Sequence, residues 1–399
     1  MIIFTDGHET AAEYIDDVDH LINNRTYAIG LGNTDTIQPT ALEALTGSTQ
    51  GYVLLTGDLA GDDYFLLAKY YLQILAGVIN EEIVMDPQGF LKFNHKVSIP
   101  FTLTEADITS DIILLTPSPE AFCFTLETPA GDKITPSSVT AIPGSQYISG
   151  EQVSYYRISL PVPLSEAAAA GQWHAHLEID RAQYKRYLTI LQKKQEKSPE
   201  AKKLFEQTIT HGIRYSLNVH SYSNLKFTAT IEQDGYETGA LLNIQASLAE
   251  YGIPVENRAH VRAVITSPKG EKINLNLIET TPGTFEAALE TKMNGVYRCH
   301  LFANGRTLRE RVFTRELIVT GAVWRGGNNP PPNAGNTVPD NSKDCLCHLL
   351  KCLLIHSIDE EHLSKRLAEW GIKLPELKKC LEALCEPKSK KVQQLSAQE

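Results

Sequence analysis

The chain holds 399 residues, 42% of them apolar and 21% charged, an ordinary globular balance with room for about two to four domains. Its formal net charge of −11 argues against a nucleic-acid partner, which would need a basic face. No run of about eighteen apolar residues is present to span a membrane, and Met1 leads into an apolar run without the pattern of a signal peptide.

In chain order, the first elements are two short apolar runs closed by glycine, Ile2 to Phe4 and Tyr27 to Leu31. Uninterrupted runs of this kind suit strands buried on both faces of a parallel sheet. Between them Ile15, Val18, Leu21 and Ile22 fall at helical spacing. A short helix at Ala41, Leu42 and Leu45, a strand at Tyr52 to Leu55 and a helix over 62–78 carrying Phe65, Leu66, Tyr70, Leu72 and Leu75 complete the pattern. Right-handed crossovers would place these helices on the sheet's faces, so 1–80 reads as the C-terminal half of a doubly wound α/β domain.

These residues resemble the von Willebrand factor A family, in its last three strands and helices. The resemblance is carried by IIFTDG at 2–7, TYAIGLG at 26–32, ALEALTGSTQGYVLLTG at 41–57 and the helix that follows. It implies a metal-ion-dependent adhesion site at the carboxyl ends of the strands, where Mg²⁺ or Mn²⁺ bridges to a protein ligand. Of that site's elements this sequence holds only the Thr-Asp-Gly turn, with Asp6 as the partial site. The Asp-x-Ser-x-Ser loop and the later Thr loop are not in it, and one carboxylate does not fill the octahedral shell of a hard cation. The metal is therefore implied only for a complete domain.

From Asp86-Pro87 onward, short runs of alternating apolar and polar residues are broken by Pro, Gly, Asn and Asp, the pattern of antiparallel sandwiches. Strands are expected at Val97 to Leu103, Asp111 to Leu115, Phe122 to Glu127, Val153 to Leu160, Gln172 to Ile179 and Ile213 to Val219. These make a first β-sandwich over 86–222. A second, immunoglobulin-like one over 223–322 takes Lys226 to Ile231, Leu241 to Leu248, His260 to Thr266, Lys272 to Ile278, Thr284 to Leu289, Val296 to Phe302 and Arg311 to Val319. The two read as copies. Glu127-Thr-Pro-Ala-Gly-Asp-Lys-Ile134 matches Thr266-Ser-Pro-Lys-Gly-Glu-Lys-Ile273, and Gly171-Gln-Trp-His-Ala-His-Leu177 answers to Gly295-Val-Tyr-Arg-Cys-His-Leu301. Proline presets the first turn dihedral and glycine takes a positive one. A helical insertion over 180–210, with Tyr184, Tyr187, Leu188 and Leu191 on one face, is expected to cover a sandwich edge.

His174 and His176 share a strand face, as two zinc ligands would, but no third ligand stands at a fixed local offset. His211, His220, His260 and His300 read as half-buried strand residues or their neighbours. No HExxH, G-x-S-x-G, P-loop or G-x-G-x-x-G is present.

A Gly/Pro/Asn linker over 323–343 leads to a Cys-rich helical unit over 344–387 and a tail over 388–399 that is expected to be disordered. Cys345, His348, Cys352 and His356 form one helical stripe, and Cys380 and Cys385 lie on a later helix. Zinc, disulfides between the first and third helices, and plain burial in a three-helix bundle all remain open for these cysteines.

An A domain followed by immunoglobulin-like sandwiches is similar to proteins related to calcium-activated chloride channel regulators and to bacterial A-domain surface proteins. That resemblance implies an extracellular or cell-surface place, with the cytoplasm left open. The leading expectation is a non-enzymatic interaction or adhesion protein whose head, when complete, binds an unnamed protein ligand through the metal. Its C-terminal helices would dock or oligomerise. The alternative is part of a metal-dependent hydrolase or channel-regulating protein whose catalytic region lies upstream; a degenerate, purely structural fragment is a third.

Overall fold

The computed structural model describes residues 1–5, 19–23, 25–32, 42, 45–46, 49, 51–57, 64–164, 167–168, 170–195 and 198–324. The chain divides into two compact units, Met1–Pro332 and Asn333–Glu399, and every described residue belongs to the first. Asp6, nearly all of the linker, the Cys-rich unit with Cys345, His348, Cys352, Cys380 and Cys385, and the tail lie outside the described residues.

Three short strands open the chain, β1 (Ile2–Thr5), β2 (Tyr27–Gly30) and β3 (Val53–Leu55), paired in parallel in that order. Helix α1 (Tyr64–Val78) follows them. The next strands are β4 (Glu81–Met85), β5 (Gln88–Leu91), β6 (Lys96–Leu103), β7 (Asp107–Leu115), β8 (Phe122–Glu127) and β9 (Lys133–Ile134). After them come β10 (Gln146–Ser149), β11 (Val153–Ser159), β12 (Val162–Pro163), β13 (Ala167–Ala168) and β14 (Gly171–Ile179). Helices α2 (Arg181–Lys194) and α3 (Pro199–His211) interrupt the strands. The rest is β15 (Ile213–Ser223), β16 (Leu225–Gln233), β17 (Leu241–Glu250), β18 (Ile253–Pro254), β19 (Ala259–Thr266), β20 (Lys272–Thr281), β21 (Thr284–Glu290), β22 (Gly295–Arg306) and β23 (Val312–Val323).

A first lobe is made of two antiparallel sheets. One runs β10-β11-β7-β15-β4, with β5 also on β15; the other runs β6-β14-β8-β9. Alternation directs the core: Ser154, Tyr156 and Ile158 of β11 are buried, as are Trp173, Ala175 and Leu177 of β14, while the residues between them are not. Trp173, Phe124, Tyr156, Ile112, Leu114 and Leu217 share one apolar core. Tyr187 and Leu191 of α2 enter it too. Asp180 caps α2 by accepting from the Ala182 and Gln183 N–H groups, and Ser198 with Pro199 starts α3.

The second lobe is a single antiparallel sheet, β16-β17-β21-β20-β19-β22-β23, with β18 on β17. The first half of β20 pairs with β19 and its last part with β21, so this strand carries the sheet around its own core. Phe227, Leu248, Phe285, Leu301 and Phe313 fill the interior. The terminal strands β16 and β23 lie close enough to make the sheet nearly a barrel.

The repeated octapeptides build the same turn twice. Gly131 N–H donates to the Thr128 carbonyl and Asp132 N–H to Thr128 Oγ1; Gly270 N–H donates to the Ser267 carbonyl and Glu271 N–H to Ser267 Oγ. Each turn then receives the glycine that opens the matching strand. Gly171 (φ 141°) and Gly295 (φ 134°) sit against Pro129 and Pro268, and a Cβ on either would overlap its proline. Gly295→Ala is expected to cost more than about 1 kcal/mol, read as a lower urea midpoint, because φ and space both forbid the methyl.

The structure overturns the expected half of a doubly wound α/β domain. The described chain is dominated by antiparallel strands, and its only parallel pairing joins β1, β2 and β3. Local pattern marks a buried strand without saying what buries it. Here the β lobes do: Ala28, Leu42 and Leu55 share a cluster with Ala322 and Trp324, and Leu55 N–H donates to Thr320 Oγ1 of β23 at 2.9 Å. Helix α1 also packs on β4 and β23.

The outer edge of β23 is closed by side chains. Gln73 of α1 donates through Nε2 to the Ile318 carbonyl (2.7 Å) and accepts from its N–H (2.8 Å). Gln233 does the same to Ala322, at 2.9 and 3.0 Å. Two amides thus replace a neighbouring strand where an open edge would recruit another chain.

Candidate functional site

The expected site residues, Asp6 and the cysteines and histidine of the C-terminal unit, cannot be placed, as they lie outside the described residues. The strand histidines are dispersed. His174 and His176 stack with ring centres 6.0 Å apart and planes 12° from parallel, so their nitrogens do not converge as ligands of one zinc would. His176 Nε2 instead lies 3.1 Å from Glu127 Oε2, and His300 Nε2 lies 2.8 Å from Glu316 Oε2. His211 lies beside Phe90, and His260 is exposed on β19. Among the described residues no group of three His, Cys, Asp or Glu is arranged to hold a metal. Cys123 and Cys299 are both free thiols.

Buried charge gathers elsewhere, on the outer face of the six-stranded sheet and at the junction of the lobes. Register across β11, β7, β15 and β4 aligns Arg157, Asp111, His220 and Ile83 in one row. Arg157 grips Asp111 through Nε and Nη2 at 2.9 and 2.6 Å, a fork-to-fork geometry. Glu81, two residues before Ile83 on β4, brings Oε2 to 3.9 Å from His220 Nδ1. Among the described residues, neither Glu81 Oε2 nor His220 Nε2 has a hydrogen-bond partner.

A second group joins α1 to the sheet. Lys69 Nζ reaches Asp86 Oδ2 at 2.9 Å and donates to the Asp86 carbonyl. Ser216 donates to Asp86 Oδ1 at 3.0 Å, and Asn218 donates to Ser216 Oγ. A serine nucleophile needs an adjacent general base, an imidazole or a neutral amine, and Lys69 is held by Asp86. Here the imidazole of His220 faces Glu81, and Ser216, fully buried, tethers the carboxylate.

At the junction itself, Arg315 of β23 and Asp107 of β7 pair at 2.7 Å with both side chains 0% exposed. Arg315 also donates to Ser223 Oγ and to the Leu225 carbonyl, on the segment joining the lobes. Asp107 accepts from Thr104 through N–H and Oγ1. Nearby, Glu82 accepts from Phe227 N–H and pairs with Lys226 at 3.1 Å.

Burial sets the protonation of this network. Desolvation, with Asp111 adding repulsion, pushes Glu81 up to about 7. Desolvation likewise raises Asp86 to about 6 against the pull of Lys69, and lowers His220 to about 4. Burial alone would raise Asp107, but Arg315 and the Thr104 and Ser223 hydrogen bonds hold it below the usual carboxylate range.

A raised carboxylate favours the fold below its unfolded value and loses that support as pH rises through the folded value, here from about 4.5 through about 7 for Glu81. A depressed histidine acts oppositely, with support lost as pH falls from about 6.5 through about 4 for His220. Glu81→Gln is therefore expected to stabilise the protein by about 2 kcal/mol at pH 8 and by little near pH 4. Urea unfolding at the two pH values measures it.

The sequence reading passed over Lys69, Glu81, Asp86, Asp107 and Arg315. A signal was present in Lys69 and Gln73, polar residues four apart on the buried face of a helix otherwise lined by Phe65, Tyr70 and Ile74.

No family model and no curated protein matches this chain. Solved structures similar in part include a lipase, BlEst2 of Bacillus licheniformis in propeptide form, at 11% identity and TM-score 0.32, covering 72% of this chain and 46% of that one. A DUF4785 family protein of Legionella pneumophila matches at 14% identity and TM-score 0.34, covering 61% and 63%. A β-glucuronidase of Parabacteroides merdae matches at 10% identity and TM-score 0.19, covering 58% and 28%. The chain thus spans less than two thirds of each of these proteins, and likenesses at such scores assign neither a family nor an activity.

Proposed function

We propose that this chain is a non-enzymatic interaction protein in which two β lobes act as one stiff support for binding surfaces. The observation that carries the reading is the sealed Arg315–Asp107 pair. It ties the last strand of one lobe to the other and to the segment between them, so the lobes cannot pivot without stripping two charges of their partners. Lys226–Glu82 adds a second, part-exposed tie between the lobes, and Lys69–Asp86 fixes α1 to the first. The metal-bridged mode of binding rested on the doubly wound domain and is not carried forward.

The test has two arms. Spin labels on non-natural ketone residues at Thr140 and Lys272, one per lobe, are expected to give one narrow distance distribution; a broad or double one overturns the rigid support. Ester, amide and glycoside substrates are expected to show no turnover that Ser216→Ala or His220→Gln removes. A turnover so removed overturns the non-enzymatic reading.

A further inference from the structure

Lys69 of α1 and Asp86, the residue after β4, meet where bulk water does not reach. Their side chains are 9% and 7% exposed, and Lys69 Nζ lies 2.9 Å from Asp86 Oδ2 and 3.2 Å from the Asp86 carbonyl oxygen. Among the described residues Nζ has no other acceptor.

Both groups are held from behind. Gln73, one turn on from Lys69, fastens α1 to Ile318 of β23. The Pro87 carbonyl accepts from Leu217 N–H at 2.9 Å, which fastens the segment carrying Asp86 to β15. Ser216, 0% exposed, donates to the second carboxylate oxygen, Asp86 Oδ1, at 3.0 Å, closer than its 3.3 Å approach to the Pro87 carbonyl. Asn218 Nδ2 in turn donates to Ser216 Oγ. An amine and a carboxyl fixed at contact distance react as if each were at very high concentration. Burial penalises both charges and raises the Asp86 carboxyl, which brings the neutral amine and neutral acid within reach of the ion pair.

We propose that Lys69 and Asp86 condense to an isopeptide bond that crosslinks α1 to the end of β4. A proton first passes from the Lys69 ammonium to Asp86 Oδ2 along their hydrogen bond. The freed lone pair of Nζ attacks Asp86 Cγ, and Oδ1 takes the negative charge of the tetrahedral centre, where the Ser216 hydroxyl already points. A second proton moves from Nζ to Oδ2, the Cγ–Oδ2 bond breaks, and one water leaves as Oδ1 returns to a carbonyl. One N–C bond forms and one C–O bond breaks, with no oxidant, reductant or co-reactant. Burial keeps bulk water from reversing the step. The bond forms once per chain without turnover, so it leaves the non-enzymatic reading in place and does not rest on it.

The intact mass of the purified full chain tests it. The wild type is expected to be lighter than its sequence by one water. Chymotrypsin cuts the intervening segment, which holds Tyr70, Tyr71, Leu72 and Leu75, so the fragments bearing Lys69 and Asp86 are expected to emerge as one branched species. Lys69→Arg keeps a cation beside Asp86 and Asp86→Ala removes the acid; both are expected at full mass. Ser216→Ala is expected to approach the lighter mass on the order of a hundred times more slowly. Circular dichroism confirms that each variant is folded, and the branched fragment of the wild type decides the question where one is not. A wild-type chain still at full mass after days at neutral pH, a lost water that maps to other residues, or one that persists in Lys69→Arg overturns the proposal. Equal rates in the wild type and Ser216→Ala overturn the role given to Ser216.

Discussion

Arg315→Ala is expected to lower the unfolding free energy by about 3–5 kcal/mol, the cost of leaving one charge of a sealed pair without its partner. For a body of this size the melting temperature should fall on the order of 10 °C. Asp107→Ala should do the same, because the guanidinium would remain among Ser223, the Leu225 carbonyl and the Thr314 carbonyl without a counter-charge. The double change Arg315→Met with Asp107→Leu separates the pair's net worth from the penalty of breaking it. It is expected to recover most of the loss, since apolar groups of similar volume often match a buried ion pair. Acid should mimic the single variants: Asp107 titrates below the usual carboxylate range, so the stability it contributes is present above that range and lost as pH falls through its depressed value. If Arg315→Ala melts within a few degrees of the wild type, the pair does not hold the lobes.

The second large effect is expected at Gln73. Replacing it by leucine keeps the bulk and removes both hydrogen bonds to Ile318, leaving a buried N–H and a buried C=O of β23 unsatisfied. At about 1–3 kcal/mol for each such group, the loss should reach about 3 kcal/mol. Hydrogen exchange at the Ile318 amide should rise in Gln73→Leu while amides in the Trp173 core stay protected. Gln73→Glu supplies an acceptor for the Ile318 N–H but sets a carboxylate oxygen against the Ile318 carbonyl, so it should fall between wild type and leucine. An unchanged Ile318 exchange rate in Gln73→Leu would mean that the edge is closed by something other than this amide.

Much of the β region was legible before any coordinates. Phe122–Glu127 is where alternation put it, and Val153–Ser159 and Gly171–Ile179 differ from their expected bounds by a residue. Other strands run longer than expected: Ile213–Ser223 and Val312–Val323 extend past Val219 and Val319. The extra residues of β15 reach the lobe junction, where polar side chains such as His220, Ser221 and Ser223 are buried, and those of β23 pack on the parallel strands. Alternation of apolar residues does not mark such positions, so the pattern stopped short. The same blindness hid the buried charges. Asp107 and Arg315 are 208 residues apart, and each alone reads as an exposed charge on a strand.

Apart from β4, β5 and β10, which no alternation marked, the sequence by itself determined the longer antiparallel strands, the face of each that looks inward, and where the Pro-x-Gly turns repeat. These follow from the two-residue period of a pleated strand and from the dihedrals that proline and glycine permit, all of which are local. Only the tertiary structure decided what each strand rests against. It placed the three parallel strands against β23 and α1 across two edges, and it matched Arg315 with Asp107 and Gln73 with Ile318. Those pairings depend on how whole sheets twist and meet, and no spacing within one segment records that.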